Sequence, residues 1–204
     1  MSQEIISKKT RTNLEILKKS GILKDFYLVG GTGAALQLKH RLSLDLDFFT
    51  KENIDTKALI QKIKNLGNFS IEKEALNSLT SIFQGTIITF LKYDYPCLFQ
   101  FKNIEGVKVA DLRDIGCMKI SAISSRGAKK DFIDLFYICQ KIISLQGLLK
   151  LFQKKYKNVD YNMNHILKSI IYFEDAEKNP MPKMIIPVLW EQVKSFLKKE
   201  IKKQ

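Results

Sequence analysis

Asp45 and Asp47 stand two residues apart in the run Leu44-Asp45-Leu46-Asp47-Phe48-Phe49, whose alternation predicts a β-strand. Residues two apart on a strand share a face, so both carboxylates point one way and Leu44, Leu46 and Phe48 the other. Like charges side by side repel, and a cation between them removes the conflict. Mg²⁺ takes carboxylate oxygens and bridges to substrate phosphates, so Mg²⁺, with Mn²⁺ as its substitute, is the expected cofactor. Alone, the pair describes two solvated acids at a strand end equally well.

The segment before it adds weight. Phe26-Tyr27-Leu28-Val29 reads as a short strand running into Gly30-Gly31-Thr32, with a helix from Thr32 to Lys39. Small residues at a strand-to-helix turn let backbone N–H groups and a hydroxyl approach a phosphate at the positive end of the helix. No Gly-Lys-Ser/Thr follows, which excludes a Walker-type loop. The helix returns the chain so that Arg41 and Ser43 flank the carboxylates, placed for triphosphate contacts. A phosphate cradle, a divalent cation and positive donors are what phosphoryl or nucleotidyl transfer requires.

Later, Lys119, Ala122, Ile123 and Arg126 fall on one helical face, Gly127 ends that helix, and Asp131 and Asp134 share a face of the next. By spacing alone these residues are equally a salt-bridge network between neighbouring helices. His40 and His165, the only histidines, read as a loop residue and a helix-surface residue, which excludes a multi-histidine metal site. Cys97, Cys117 and Cys139 match neither a disulfide framework nor a zinc motif and read as free, mostly buried thiols.

The elements that must position these groups divide the chain in two. Residues 3–20 form an opening amphipathic helix and residues 55–66 another. Strands are expected over 69–74, 79–83, 86–92 and 107–109. After Ala110 the pattern is helical, over 111–125, 129–143, 145–156, 162–177 and 188–203. The expected division is an α/β unit over 1–110 and a helical unit over 111–204 that completes the site. The 204 residues carry a net charge of +13, which suits nucleic acid or a polyphosphate and also a lysine-rich solubility surface. The helical half holds more of the excess, 18 Lys and Arg against 10 Asp and Glu. No run approaches the ~20 apolar residues of a membrane span, and no signal peptide is apparent, so a cytoplasmic protein is expected.

The string LVGGTGAALQLKHRLSLDLDFFT, residues 28–50, resembles the opening motif of the AbiEii-type nucleotidyltransferase toxins of abortive infection and type IV toxin–antitoxin systems. There a Gly-Gly-Thr turn, a short helix, His-Arg-x-Ser and Asp-x-Asp follow one another. DLRDIGCMKISAISSRGAKKDFIDLFYI, residues 111–138, is similar to that family's second block. The resemblance implies an α+β fold, a DNA polymerase β-like nucleotidyltransferase core of mixed sheet and flanking helices, followed by a helical C-terminal part. It implies Lys119 as the catalytic or phosphate-binding lysine and Asp131 as an active-site acid, with Arg126, Lys130 and Asp134 nearby. Many polymerase β-like enzymes place a third carboxylate on a later core strand, but residues 86–92 carry none and Asp94 lies at a turn.

The expected function is therefore Mg²⁺-dependent transfer of a nucleoside monophosphate from an NTP to an acceptor such as RNA or the 3′ end of a tRNA. Asp45 and Asp47 would hold the metal, and Gly30, Gly31, Thr32, Arg41, Ser43 and Arg126 the phosphates. A cognate antitoxin protein is the expected partner. The alternatives are a degenerate core that only binds, and an enzyme acting on a small molecule in the manner of antibiotic-modifying nucleotidyltransferases.

Overall fold

The computed structural model describes residues 4–203. Helix α1 (Lys8–Lys19) begins where the Ser7 side chain accepts from Thr10 N–H and closes before Gly21. A 3₁₀ turn, Ile22–Asp25, leads into strand β1 (Tyr27–Leu28), helix α2 (Gly30–Leu38) and strand β2 (Leu46–Thr50). Helix α3 (Thr56–Lys64) precedes β3 (Phe69–Ala75), β4 (Ser78–Phe83) and β5 (Thr86–Lys92). A hairpin of β6 (Lys102–Ile104) and β7 (Val107–Val109) completes the strands. The strand β6 had no sequence signal, since its three residues hold one apolar side chain.

The seven strands form one mixed sheet in the order β3-β4-β5-β2-β1-β7-β6. β2 runs antiparallel to β1 and parallel to β5, with Asp47 opposite Thr89. Alternation along β2 then sorts its side chains. Leu46 and Phe48, fully buried, enter an apolar cluster with α1 and α3 on one side of the sheet. Each such burial contributes roughly 1.5–3 kcal/mol. Asp47 and Phe49 face the other side, where the remaining helices pack. Leu44, expected on the inner face, precedes the strand and is 55% exposed.

The C-terminal helices are α4 (Leu112–Arg126), α5 (Lys129–Lys141), α6 (Leu145–Lys155), α7 (Met163–Ile170), α8 (Glu174–Glu177) and α9 (Trp190–Ile201). The single helix expected over 162–177 is broken after Ile170, because Phe173 turns inward to pack on Phe132 and Trp190. The opening helix starts at Lys8 rather than 3, and residues 1–3 lie outside the described residues. Asp111 caps α4 by accepting from Arg113 N–H, and Gly127 closes it in the left-handed region. Between α4 and α6, Asp114 and Lys155 form a fully buried ion pair whose acid also accepts from Leu98 and Phe99 N–H. That bonding offsets the desolvation of the two charges and ties the loop before β6 to the helices. Residues 183–186 run back across the loop after α2, where Leu42 N–H bonds Lys183 O and Ile185 N–H bonds His40 O. No single helix among the described residues is long and apolar enough to cross a membrane.

Candidate active site

The glycine turn and the acidic strand meet directly. Gly30 has φ +63°, and a Cβ placed on it would lie 2.1 Å from Asp47 Oδ2. Val29 N–H donates to the Asp47 carbonyl at 2.9 Å. The Thr32 hydroxyl donates to the Asp45 carbonyl and pairs with the Ser43 hydroxyl at 2.9 Å. Hydrogen bonding within α2 begins with Gly33 N–H to Val29 O, so the preceding N–H groups have no intrahelical acceptor. The carboxylates are thus seated at the positive end of α2.

Asp45 lies one residue before β2, half-exposed, with its carboxylate 3.4 Å from Lys130 Nζ. Asp47 is recessed, and among the described residues no hydrogen bond or salt bridge reaches its carboxylate. Burial pushes its pKa up; Lys119 opposes the shift, and the neighbouring Asp45 charge adds to it. A divalent cation fits here on the chemistry of the donors: two adjacent hard oxygen ligands, one desolvated and without a partner. Among the described residues no third His, Cys, Asp or Glu joins them in a metal-sized group. β5 offers Thr89 opposite Asp47, and Asp94 is an exposed turn residue paired with Lys92. The remaining coordination positions would fall to water and substrate phosphate.

Beneath the pair lies a network that joins α2, α4 and α5. Lys119 Nζ bonds Asp131 Oδ1 at 2.7 Å and Asp134 Oδ2 at 2.6 Å. Asp131 also accepts from Arg126 Nε at 2.9 Å. Asp134 accepts from Arg41 Nε and Nη2 at 2.7 and 2.8 Å and from His40 Nε2 at 2.7 Å. Burial would raise both carboxyls, but Lys119 in each case, with Arg126 at Asp131 and Arg41 at Asp134, holds them below the usual range. Burial lowers the pKa of His40 more than Asp134 raises it, so the ring is neutral, with Nε2–H donating and Nδ1 unpartnered. Three cations against two acids leave one positive charge in excess beside Asp45 and Asp47.

Asp47, Lys119, Arg126 and Asp131 line one cavity of about 210 Å³, walled on its apolar side by Val29, Phe49, Met118 and Ala122. The structure brings Gly30 into the same cavity. Thr32, Arg41 and Ser43 stand behind it: all three are buried, and the Arg41 guanidinium is committed to Asp134 and the Leu42 carbonyl. A Cβ on Gly31 would fall 2.6 Å from Arg41 Nη2, so Arg41 props the turn from below. His40 lies in the loop after α2, as expected, but it is a buried member of the network, and Asp134 is the network's most connected acid. Asp134 was expected near the site from its spacing with Asp131, but its pairing with His40 and Arg41 was not legible, because those partners lie more than ninety positions away. The apolar wall of Phe49 and Met118 was likewise unmarked; the period-two placement of Phe49 beside Asp47 was the available signal. Cys117 is buried and Cys97 and Cys139 half-buried, all three free.

Comparison with known proteins identifies the family and the fold. The family model described as the nucleotidyl transferase AbiEii toxin of the type IV toxin–antitoxin system matches residues 78–202. That stretch holds Lys119 through Asp134 and leaves out the Gly30-to-Asp47 segment. An uncharacterised protein of Aquifex aeolicus is 37% identical over 202 residues, spanning 97% of this chain and 96% of the relative. The nucleotidyltransferase toxin MenT4 of Mycobacterium tuberculosis superposes with a TM-score of 0.58 at 12% identity, over 96% of this chain and 84% of that one. JHP933 from Helicobacter pylori gives 0.55 at 18% identity, over 97% and 94%. At such identities the likeness is one of fold.

Proposed function

The chain belongs to the AbiEii family of nucleotidyltransferase toxins, and we propose that it moves a nucleoside monophosphate from an NTP to RNA as the toxin of a toxin–antitoxin pair. It is a nucleotidyltransferase; the Mg²⁺, the RNA acceptor, the antitoxin partner and a cytoplasmic site of action belong to the proposal. The observation that carries it is the Asp47 carboxylate, desolvated, unpartnered and pressed against Gly30, with Asp45 beside it and Lys119 and Arg126 across the cavity.

In this reading Asp45 and Asp47 hold Mg²⁺, which when bound would neutralise charge on the phosphates and the attacking oxygen. The free N–H groups at the start of α2 receive phosphate oxygens at the positive helix end. Arg126 and Lys119 face the same oxygens and stabilise charge as it moves to the leaving pyrophosphate. Asp131 holds those two cations in place; ion-paired on both sides, it serves as a positioning residue. Asp134 does the same for Lys119 and Arg41 from below. Lys130 is the half-exposed counter-charge of Asp45 and would give up that carboxylate to a bound metal.

The test is incorporation of labelled NTP into total RNA. Asp45→Asn should abolish Mg²⁺-dependent incorporation while leaving the fold intact by thermal melting. Retained incorporation would overturn the assignment. Calorimetry of the wild type with NTP and Mg²⁺ separates the enzyme from a binding module, which should show no metal-dependent nucleotide affinity. Label appearing in a small-molecule extract instead of RNA would point to the antibiotic-type acceptor.

A further inference from the structure

A second concavity, of about 380 Å³, opens beside the first, and Ser125 and Arg126 line both. Its far wall is α7 and the turn after it, with His165, Lys168, Ser169 and Tyr172. The inner cavity, about 210 Å³, falls below the ~300–1,000 Å³ usual for a site that encloses a small ligand. In-line displacement also needs two reactants, on opposite sides of the phosphorus under attack. A second seat adjoining the first is therefore required, and this concavity shares its wall.

Its side chains indicate what sits there. Arg126 gives Nε and Nη2 to Asp131, and its side chain is still 59% exposed, so Nη1 is left for a ligand. Lys168 is exposed and without an ion pair among the described residues. Asp175, on the rim, is already paired with Lys178 at 3.0 Å, so it does not compete for Lys168 or Arg126. The Tyr172 ring is 53% exposed and meets no other aromatic ring among the described residues, while its hydroxyl is tethered to Glu174 at 2.8 Å. An anchored, open ring beside the unpaired Lys168 and the open edge of Arg126 suits a single-stranded nucleic acid, whose bases stack on the ring while the cations meet the backbone.

We propose that this groove seats the 3′-terminal nucleotides of a single-stranded RNA acceptor. A base stacks on Tyr172, a phosphate lies by Lys168 and Arg126, and the 3′ hydroxyl is delivered to the cavity at Asp47. The inference rests on the nucleotidyl-transfer reading. In the step itself the 3′ oxygen bonds to the α-phosphorus, the bond from that phosphorus to the α,β-bridging oxygen breaks, pyrophosphate leaves, and the hydroxyl proton passes to solvent.

The experiment uses the full chain and a short unstructured RNA with a free 3′ hydroxyl, followed by fluorescence anisotropy over a range of salt. Tyr172→Ala should weaken RNA binding by on the order of tenfold, with Tyr172→Phe close to wild type. Lys168→Ala should lower the slope of log affinity against log salt by about 0.7, the contribution of one phosphate on a single strand. Both positions are exposed, so the variants should melt with the wild type and bind NTP and Mg²⁺ unchanged by calorimetry. Unaltered RNA affinity and salt slope in both variants would overturn the groove, as would label transferred to protein while RNA stays unmodified. If the variants lose RNA affinity but the wild type binds no NTP, the proposed function falls and the groove stands as an RNA site.

Discussion

Replacing Gly30 by alanine tests the contact between the turn and the acid with a single methyl group. The new Cβ would sit 2.1 Å from Asp47 Oδ2, so the carboxylate must withdraw by about 1 Å, a displacement that in an active site costs on the order of 10²-fold in rate. The substitution also forces an L side chain to φ +63°, at about 1–2 kcal/mol. For a chain of this size that lowers the melting temperature by roughly 2–8 °C. Gly21→Ala supplies the control: φ is +78°, and nothing lies within 4 Å of its Cβ. Both variants should therefore melt lower by a few degrees, and only Gly30→Ala should lose transfer of labelled NTP, by about a hundredfold. Activity in Gly30→Ala within a few-fold of Gly21→Ala would refute the idea that the Asp47 carboxylate, held where it is, carries the reaction.

Three further outcomes follow from the electrostatics. Because burial and Asp45 make the Asp47 charge unfavourable, Asp47→Asn should raise the melting temperature of the metal-free protein and remove any Mg²⁺-induced shift; a lower melting temperature contradicts this. Asp134→Ala leaves His40, Arg41 and Lys119 facing a void, and urea unfolding should register a loss of about 3–5 kcal/mol, whereas a loss under about 1 kcal/mol would show the network to be dispensable. The native pKa values of His40, Asp131 and Asp134 are all lowered, so at these three groups the native state binds fewer protons than the unfolded chain, while Asp47 acts the other way. The stability from His40 is complete above its ordinary value near ~6.5, and that from the two acids above ~3.9; each is lost as pH falls through the depressed native value. Circular dichroism on acidification should show stability declining in that order, and a melting temperature flat from neutral pH to about 3 would be the contrary result.

The division of labour between sequence and tertiary structure follows from the range of the forces involved. Alternation along Leu46-Asp47-Phe48 and the small residues at Gly30-Gly31 are local, and they already placed Asp47 on the strand face opposite Leu46 and Phe48, next to a helix N-terminus, with Asp45 just before the strand. The i to i+7 spacing of Lys119 and Arg126 and the i to i+3 spacing of Asp131 and Asp134 likewise put each pair on one helical face. What stayed open was which partners these charges would take. Spacing allowed a solvated salt-bridge set, and the fold instead buries Asp131 and Asp134 completely. Burial makes pairing compulsory, since an unpaired charge there costs several kcal/mol. Arg41, expected at the triphosphate, turned inward because Asp134 arrives beneath Gly31 when α5 packs on α2, a meeting no local pattern encodes. The burial of His40 against Asp134, within the loop where the sequence placed it, stayed hidden for the same reason. The strand β6 and the break after Ile170 depend on a β-hairpin partner and on the Phe173 pocket, both supplied by distant chain. The sequence by itself determined that the two acids and the glycine turn are close along the chain and that Asp131 and Asp134 share a helix face. Only the tertiary structure decided that Asp47 is desolvated and without a partner while Asp131 and Asp134 are satisfied, because desolvation is a property of the packed surroundings rather than of the chain.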